Sequence, residues 1–402
     1  MGKRGIKMEL TKKQSEGLDI ILKRHRDHEK YTTVAGYAGT GKSTLVKFAI
    51  AALEVEDDKV AYATYTGKAA EVLRKKGNEG ACTLHKLLYE HIPMPGGGFY
   101  RKIKPALDVD VVVVDEVSMV PKTMIDLLLT HKIYIIFLGD PFQLPQIDKK
   151  EDNHLLDNPH IFLDEIMRQA AESEIIQLTM AIREGKEIKP MRGKEVIVLP
   201  SDELTTGCLT WADQIICATN ATRLNMNTQM RELLGYEGIP QNGERVICLR
   251  NYWDDCNDNG DALVNGATGI IKNPFESFRR IPYFVKNDRH DLPIIQGDFY
   301  PDGSEGCFQG IEMDKDMIMK GIPCIDWRVS YQLGKLKPKY GEMRPREFDF
   351  AYAITCHKAQ GSEWDKVLVI EERFPFDKEE HARWLYTACT RASEKLVLRL
   401  KD

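Results

Sequence analysis

Through its first third the chain alternates short apolar runs with stretches of helix-forming residues. Tyr31-Thr32-Thr33-Val34-Ala35 is brief and β-prone, and Thr44 to Leu53 has good helix formers with no Gly or Pro. Lys59 to Thr64 predicts a strand and Lys68 to Lys76 a helix. Val109 to Val114 is apolar but for Asp110, the pattern of a strand covered on both faces. Lys122 to Thr130 is helical in pattern, and Ile133 to Leu138 is wholly apolar. This alternation predicts α/β architecture, a parallel sheet with helices on both sides.

Ile92 to Ala106 breaks the rhythm with Pro93, Pro95, Gly96-Gly97-Gly98 and Pro105, which predicts a hairpin excursion with Phe99 and Tyr100 near its tip. Leu155 to Glu184 is helical in pattern. Strands are expected again at Val196 to Leu199, Gln214 to Ala218 and Arg245 to Leu249, with a helix from Ala221 to Leu234. From about Asn273 to Pro345, Gly, Pro, aromatic and basic residues mix and helix patterns are scarce, which reads as a β-rich insertion. The α/β pattern then returns, with strands at Phe350 to Ile354, Lys366 to Ile370 and Lys395 to Leu400 and a helix from Glu379 to Thr390.

At 402 residues the chain exceeds one ordinary core. The expected division is 1–150 for a first core carrying the 90–106 hairpin, 151–272 with 346–402 for a second, and 273–345 for the insertion. Hydrophobic content of 43% and charged content of 29% are those of a globular protein. The net charge of −5 excludes a generic polyanion binder, although local basic faces remain open because fields are screened beyond about 8 Å. The polar start, Met1-Gly2-Lys3-Arg4, is unlike a signal peptide, and no apolar run approaches the roughly 20 residues of a membrane span. The nine cysteines form no C-x-x-C pair and suit buried thiols in a reducing cytosol. A structural zinc site is not expected, because adjacent Cys356 and His357 on an extended chain point to opposite faces.

Gly36-Tyr37-Ala38-Gly39-Thr40-Gly41-Lys42-Ser43 fits G-x-x-x-x-G-K-[ST] between a strand and a helix. Backbone N–H groups of such a loop wrap phosphates at a helix N-terminus. Lys42 would reach the β and γ phosphates of a triphosphate, and Ser43 would ligate Mg²⁺. A second carboxylate site follows Val111-Val112-Val113-Val114: Asp115 to hold Mg²⁺ and Glu116 to orient and deprotonate water. Leu138-Gly139-Asp140-Pro141-Phe142-Gln143-Leu144-Pro145 again ends a buried strand in polar residues, with Gln143 placed to touch the γ-phosphate.

These blocks, with Thr44 closing the first, resemble those of superfamily 1 helicases. Ala351-Tyr352-Ala353-Ile354-Thr355-Cys356-His357-Lys358-Ala359-Gln360-Gly361-Ser362-Glu363-Trp364 resembles helicase motif V, and Leu385-Tyr386-Thr387-Ala388-Cys389-Thr390-Arg391-Ala392 resembles motif VI. The wording is nearest the RecD and Dda branch, superfamily 1B, whose members move 5′ to 3′ on single-stranded DNA. The resemblance implies two RecA-like P-loop cores with parallel sheets, and an SH3-like subdomain at the insertion that would hold the displaced or tracking strand. It implies ATP and Mg²⁺ as cofactors and ATP-driven strand separation in replication, repair or recombination. The implied partners are single-stranded DNA, its junctions with duplex, and single-strand-binding or replication proteins. A monomer in a bacterial or phage-infected cytosol, without membrane association, is expected.

Residue by residue, the resemblance gives Gln14 the reading of adenine and gives Arg168 and Arg391, both from the second core, the reach to the γ-phosphate. It gives Gln360 and Gly361 the link between nucleotide and second core. Thr64-Tyr65-Thr66-Gly67-Lys68 resembles motif Ia, although Tyr65 stands where the family has Pro, and Thr83-Leu84-His85-Lys86 resembles motif Ib. Thr66, Lys68, Thr83, His85, Thr355, His357 and Lys358 are thereby nucleic-acid contacts, with Phe99 or Tyr100 as a stacking or wedge residue. Alternatives are a translocase that strips proteins from DNA, an RNA helicase, a P-loop phosphotransferase and a non-enzymatic scaffold.

Overall fold

The computed structural model describes residues 10–93, 99–145, 151–259, 261–285, 287, 289–304, 306–340 and 342–401. Three sheets organise them. The first is parallel throughout. Its strands run Cys82–Thr83, Val60–Thr64, Val111–Val114, Tyr134–Gly139, Tyr31–Gly36 and Ile161–Leu163 in spatial order. The two apolar runs supply the fully buried strands Val111–Val114 and Tyr134–Gly139. Because the strands are parallel, Gly36, Val114 and Gly139 end at one edge, and the residues that follow them converge there.

The second sheet is ordered Ala353–Thr355, Gln214–Cys217, Trp364–Ile370, Ala392–Arg399, Val196–Leu199 and Met191–Arg192, antiparallel only at the last strand. Helices Glu174–Arg183 and Lys378–Cys389 pack on it through Ile175, Leu178, Ile182, Trp384 and Leu385. The third sheet is antiparallel: Phe308–Asp314, Asp291–Pro301, Thr268–Arg280, Arg245–Cys248 and Phe348–Phe350.

Several expectations change. The strand expected at Arg245 to Leu249 and the start of the one expected at Phe350 to Ile354 fall not in the second parallel layer but in the antiparallel sheet, as Arg245–Cys248 and Phe348–Phe350, with Val246 opposite both Phe350 and Gly269. A fully buried run reads the same in either kind of sheet. The single strand expected at Phe350 to Ile354 is two. The chain leaves one sheet at Phe350 and enters another at Ala353. Asn227 bridges the step, donating to Phe350 O (2.9 Å) and Ala353 O (3.1 Å) and accepting from Ala353 N (2.8 Å).

Leu155 to Glu184 is not continuous helix. Ile161–Leu163 is a strand that adds to the first sheet, Val34 opposite Ile161 and Gly36 opposite Leu163, so that sheet runs past residue 150. Pro159, two residues earlier, is unsuited to helix interior. Helices Arg168–Ala171 and Glu174–Arg183 follow. The insertion also holds a long helix, Trp327–Tyr340, whose Val329 and Leu333 pack on Ile281, Val285 and Leu292. Gly334 and Pro338 masked its pattern. The hairpin is present as antiparallel strands Tyr89–Pro93 and Phe99–Ile103. Its tip and the side chains of Phe99 and Tyr100 lie outside the described residues.

Candidate nucleotide seam and nucleic-acid channel

Between the two parallel sheets lies a cavity of about 210 Å³, lined by Ala38, Lys42, Ser43, Asp115, Glu116, Asp140, Gln143, Gly361, Ser362 and Arg391 among others. Its floor is the glycine loop. Gly39 (φ +77°) and Gly41 (φ +80°) take left-handed backbone that side-chain-bearing residues resist. At Gly36 the limit is space, since a Cβ would lie 2.7 Å from Thr40 Oγ1 and 2.8 Å from Leu163 O. Thr40 Oγ1 donates to Tyr37 O (2.8 Å) and draws the loop tight. Helix Lys42–Ala52 starts directly after it, with Thr44 in its first turn. Lys42 Nζ donates back to Gly36 O (2.6 Å) and Tyr37 O (3.1 Å).

The acids sit at the ends of neighbouring strands. Asp115 is half-buried, and its carboxyl is pushed up to about 6 by desolvation and by the adjacent Glu116 charge. Glu116 has φ +54°, and its N–H donates to Asp115 Oδ1 (2.8 Å). This left-handed turn at a non-glycine residue is backbone strain held at a functional edge. Burial also pushes Asp140 up.

The second sheet supplies the opposite wall. Arg391, 4% exposed, follows helix Lys378–Cys389. Its Nε and Nη1 donate to Thr387 O (3.1 Å) and Ser362 O (3.3 Å), and its Nη1 lies 3.7 Å from Glu116 Oε1. With its amide nitrogen toward Glu116, Gln143 donates to Oε2 of that acid (3.0 Å) and accepts from Arg391 Nη2 (3.2 Å). Gln143 therefore bridges the acid of one wall and the arginine of the other. Gln360 Nε2 donates to Leu144 O (2.6 Å), Leu144 N–H donates to Thr387 Oγ1 (3.0 Å) and Arg383 donates to Pro141 O (3.0 Å), so motifs V and VI both grip the 139–145 segment. Tyr386, given no role in advance, donates to Asp140 Oδ2 (2.5 Å) and accepts from Ala38 N–H (2.9 Å). Its only sequence signal was its place in the block Leu385 to Ala392.

Two further site residues are placed as follows. Gln14 is 1% exposed. Its Oε1 accepts from Thr11 N (3.0 Å) in the capping box of helix Lys12–Arg26, and its Nε2 lies 3.4 Å from Thr40 O and Gly41 O. The residue thus fastens the first helix to the glycine loop. Arg168 was expected on the second core, but it follows Met167, whose N–H donates to Gly39 O (3.0 Å). It stands on the glycine-loop side, and its side chain lies outside the described residues.

The two halves of this seam match separate families. Residues 9–195 match an AAA domain family, and residues 350–399 match the UvrD-like helicase C-terminal domain. The ATP-dependent RecD2 DNA helicase of Deinococcus radiodurans is 27% identical, covering 96% of this chain and 48% of its own length. The ATP-dependent DNA helicase dda of Enterobacteria phage T4 is 30% identical over 44% of this chain and 43% of its own length. The chain is similar to ATP-dependent DNA helicases over most of its length. It spans about half the length of these curated relatives or less. A crystal structure of Pif1 helicase from Bacteroides in complex with ADP-AlF3 and ssDNA shares the fold at a TM-score of 0.50 and 20% identity, covering 97% of this chain and 92% of that one.

The expected nucleic-acid residues line two adjoining cavities, about 730 and 480 Å³, which share Thr66, Lys68, His85, Val264, Asn265 and Gly266. Thr83 lines the larger, while Thr355, His357 and Lys358 line the smaller. Thr66 and Thr83 each cap a helix, accepting from Ala69 N and Lys86 N (3.2 Å each). Lys68 sits between Glu71 (3.1 Å) and Asp302 (3.6 Å). His85 packs beside the Tyr65 and Tyr89 rings. Tyr65, where the family has Pro, therefore serves as a ring neighbour of motif Ib. Burial pushes the Lys358 ammonium down to about 8 and lowers His357 as well, and Lys358 Nζ donates to Asn265 Oδ1. Val264, Asn265 and Gly266, on the approach to the third sheet, were not foreseen as channel residues. Nothing in their sequence marks them, because only the fold brings that loop beside motifs Ia and V. No group of three or more metal-ligating His, Cys, Asp or Glu occurs among the described residues, and no helix among them is long and apolar enough to cross a membrane.

Proposed function

We propose that the chain is an ATP-dependent motor on single-stranded DNA, a 5′-to-3′ translocase and DNA helicase whose stroke is the opening and closing of the seam between two RecA-like cores. The observation that carries this reading is the bridge Glu116–Gln143–Arg391. One side chain joins the acid of the first wall to the cation of the second, in a cavity that also holds Lys42 and Asp115. A phosphotransferase acting on a small molecule has no need of that cross-seam arginine or of an adjoining channel.

The donor set fits a nucleotide with Mg²⁺. Asp115 is a half-buried carboxyl held above its usual range beside a second acid, which a bound divalent cation would relieve, and the Ser43 hydroxyl opens on the same cavity. When bound, the nucleotide would supply the phosphates and Mg²⁺ would neutralise their charge. Lys42 exchanges its two loop carbonyls for phosphate oxygens, and Glu116 orients water and takes its proton. Arg391 stabilises charge with a fork that never deprotonates. Gln143 loses its bridge whenever the walls part, so occupancy of the pocket is read by both cores. Thr66, Lys68, Thr83, His85, Thr355, His357 and Lys358 would hold the strand by its phosphates, contacts that carry position and no sequence.

The proposed cores are the two parallel sheets, the first reaching past Leu163, with the antiparallel sheet and its helix as the insertion. The test combines ATP hydrolysis with and without single-stranded DNA or RNA and unwinding of duplexes bearing 5′ or 3′ overhangs. DNA-stimulated hydrolysis with unwinding from the 5′ overhang is expected. Hydrolysis indifferent to polynucleotide would overturn the motor, and preference for a 3′ overhang or for RNA would overturn the polarity or the substrate.

A further inference from the structure

The larger channel cavity has a floor and a lip. Motifs Ia and Ib supply the floor, and two turns of the antiparallel-sheet unit supply the lip. One turn carries Asn257 and Asp261, between strands Tyr252–Cys256 and Ala262–Leu263. The other, Asp302 to Ser304, follows strand Asp291–Pro301. Asn257 makes the two turns one body. Its Oδ1 accepts from Asp261 N (2.9 Å), its own N–H donates to Asp261 O (3.0 Å), and its Nδ2 donates to Ser304 Oγ (3.1 Å). At 7% exposure it is sealed inside that joint.

Among the described residues, three Lys or Arg side chains line this cavity, Lys68, Arg74 and Lys86, and the lip meets each of them. Lys86 Nζ donates to Asp261 Oδ1 (3.0 Å), and Lys68 Nζ lies 3.6 Å from Asp302 Oδ2. Arg74 Nη2 donates to Gly303 O (2.9 Å). Asp302 is itself aimed, its Oδ2 accepting from Thr268 Oγ1 (2.7 Å) and lying 3.7 Å from Arg245 Nη2. In the smaller cavity Lys358 meets the neutral Asn265 amide instead. A strand following this floor would bring its phosphates to the same ammonium and guanidinium groups. The lip already sets two carboxylates and a carbonyl there. An enclosed ammonium without a counter-charge is costly, and the Lys68 side chain is only 14% exposed, so the pairs stabilise the empty channel. A phosphate arriving at the floor therefore replaces an acid and does not fill a bare site. Ion pairs open to water contribute modestly, so the exchange lies near balance, which suits a strand that must be let go at each step.

We propose that Asp261 and Asp302 are built-in stand-ins for strand phosphates, positioning residues that hold Lys86 and Lys68 in the empty channel and give them up when a single strand enters. The proposal rests on the motor reading for the identity of the strand. The test measures binding of a fluorescent oligo-dT to the full chain by anisotropy. Asp261→Asn should tighten binding about threefold, and Asp261→Asn with Asp302→Asn about tenfold. Glu79→Gln should change it by less than about 1.5-fold, because Glu79 lines the same cavity but makes no ion pair among the described residues. The deciding arm is a double-mutant cycle. On a Lys86→Ala background, Asp261→Asn should bring no gain, since the lysine that the acid withheld is gone. Hydrolysis without DNA should be unchanged in Asp261→Asn. Asp302 also braces Thr268 and Arg245, so the Asp261 cycle stands by itself should the double variant fold poorly.

Equal gains from Asp261→Asn and Glu79→Gln, or a gain that survives Lys86→Ala, would mean that the acids only add negative field, and would overturn the proposal. So would unchanged or weakened binding in Asp261→Asn. Wild-type chain that binds the oligonucleotide yet hydrolyses ATP no faster for it would refute the motor reading instead, while the cycle would still decide the exchange. Binding by no variant would overturn both.

Discussion

The seam and the channel meet at Ser362 yet are built on opposite principles. In the seam a cavity of about 210 Å³ encloses charges that answer one another across two walls: Lys42, Asp115, Glu116 and Arg391, with Gln143 between. The adjoining channel cavities, about 730 and 480 Å³, mix helix-capping hydroxyls, Thr66 and Thr83, with lysines that are paired (Lys68 with Asp302, Lys86 with Asp261) or, as Lys358, held near 8. A site that must act only when both walls are present concentrates fixed charge at low dielectric. A site that must release a polymer at every step uses many weak, replaceable contacts.

The sharpest way to break this contrast is at the seam. Lys42→Ala should abolish DNA-stimulated hydrolysis, and Arg391→Ala should lower turnover on the order of a thousandfold while retaining ATP binding. Single-strand affinity without nucleotide should stay within a few-fold in both. Steady-state hydrolysis beside equilibrium binding checks this, and normal turnover in either variant would merge the two regions.

Tyr386→Phe keeps the ring edge-on to Phe142 (5.2 Å) but removes the hydroxyl between Asp140 and Ala38. Leaving the Asp140 carboxylate without this donor should cost about 1–3 kcal/mol of stability, read by denaturant unfolding. It should also uncouple the walls, with basal hydrolysis persisting and stimulation by DNA falling about tenfold.

Asp115 gives a pH test of the same enclosure. Its folded value, about 6, exceeds that of a free carboxyl, so its contribution to stability is present below about pH 4 and is lost as pH rises through 6. Asp115→Asn should therefore melt higher than wild type at pH 7 to 8 without nucleotide, and the gain should vanish near pH 4. A pH-independent gain would mean that this acid does not titrate as its burial requires.

In the channel the effects shrink. Lys358 at about 8 must be charged to hold a phosphate, so single-strand affinity should fall as pH rises through 8, by no more than tenfold per unit. Lys358→Arg should abolish the inflection. Smallest of all, Thr66→Ala should cost about 0.5–2 kcal/mol of stability through its cap and change affinity only a few-fold, checked by melting and titration.

Much of the chemistry was legible because it is local. A glycine loop between a strand and a helix, or two acids closing an apolar strand, declares itself within eight or so residues, since backbone angles and strand ends act at that range. The seam's pairing across the walls was legible only through resemblance. Tyr386 and Thr387 stood within a quoted block but had no assigned partners, because a hydroxyl on a buried helix face has no local signature of what it will meet. Gln14 shows the opposite case: its capping-box spacing from Thr11 was in plain view and fixes its amide in this structure.

What the sequence alone determined is the set of elements and their chemistry: parallel-type apolar strands, the phosphate loop, the acids at strand ends and a β-rich insertion after the second helix-strand run. What only the tertiary structure decided is pairing. Arg245–Cys248 and Phe348–Phe350 joined the antiparallel sheet, Ile161–Leu163 closed the first parallel one, and the 264–266 loop came to rest beside motifs Ia and V. Periodicity records whether a residue is covered. It does not record by what, because burial is non-directional while strand partners are selected by register and by the volume left between packed layers.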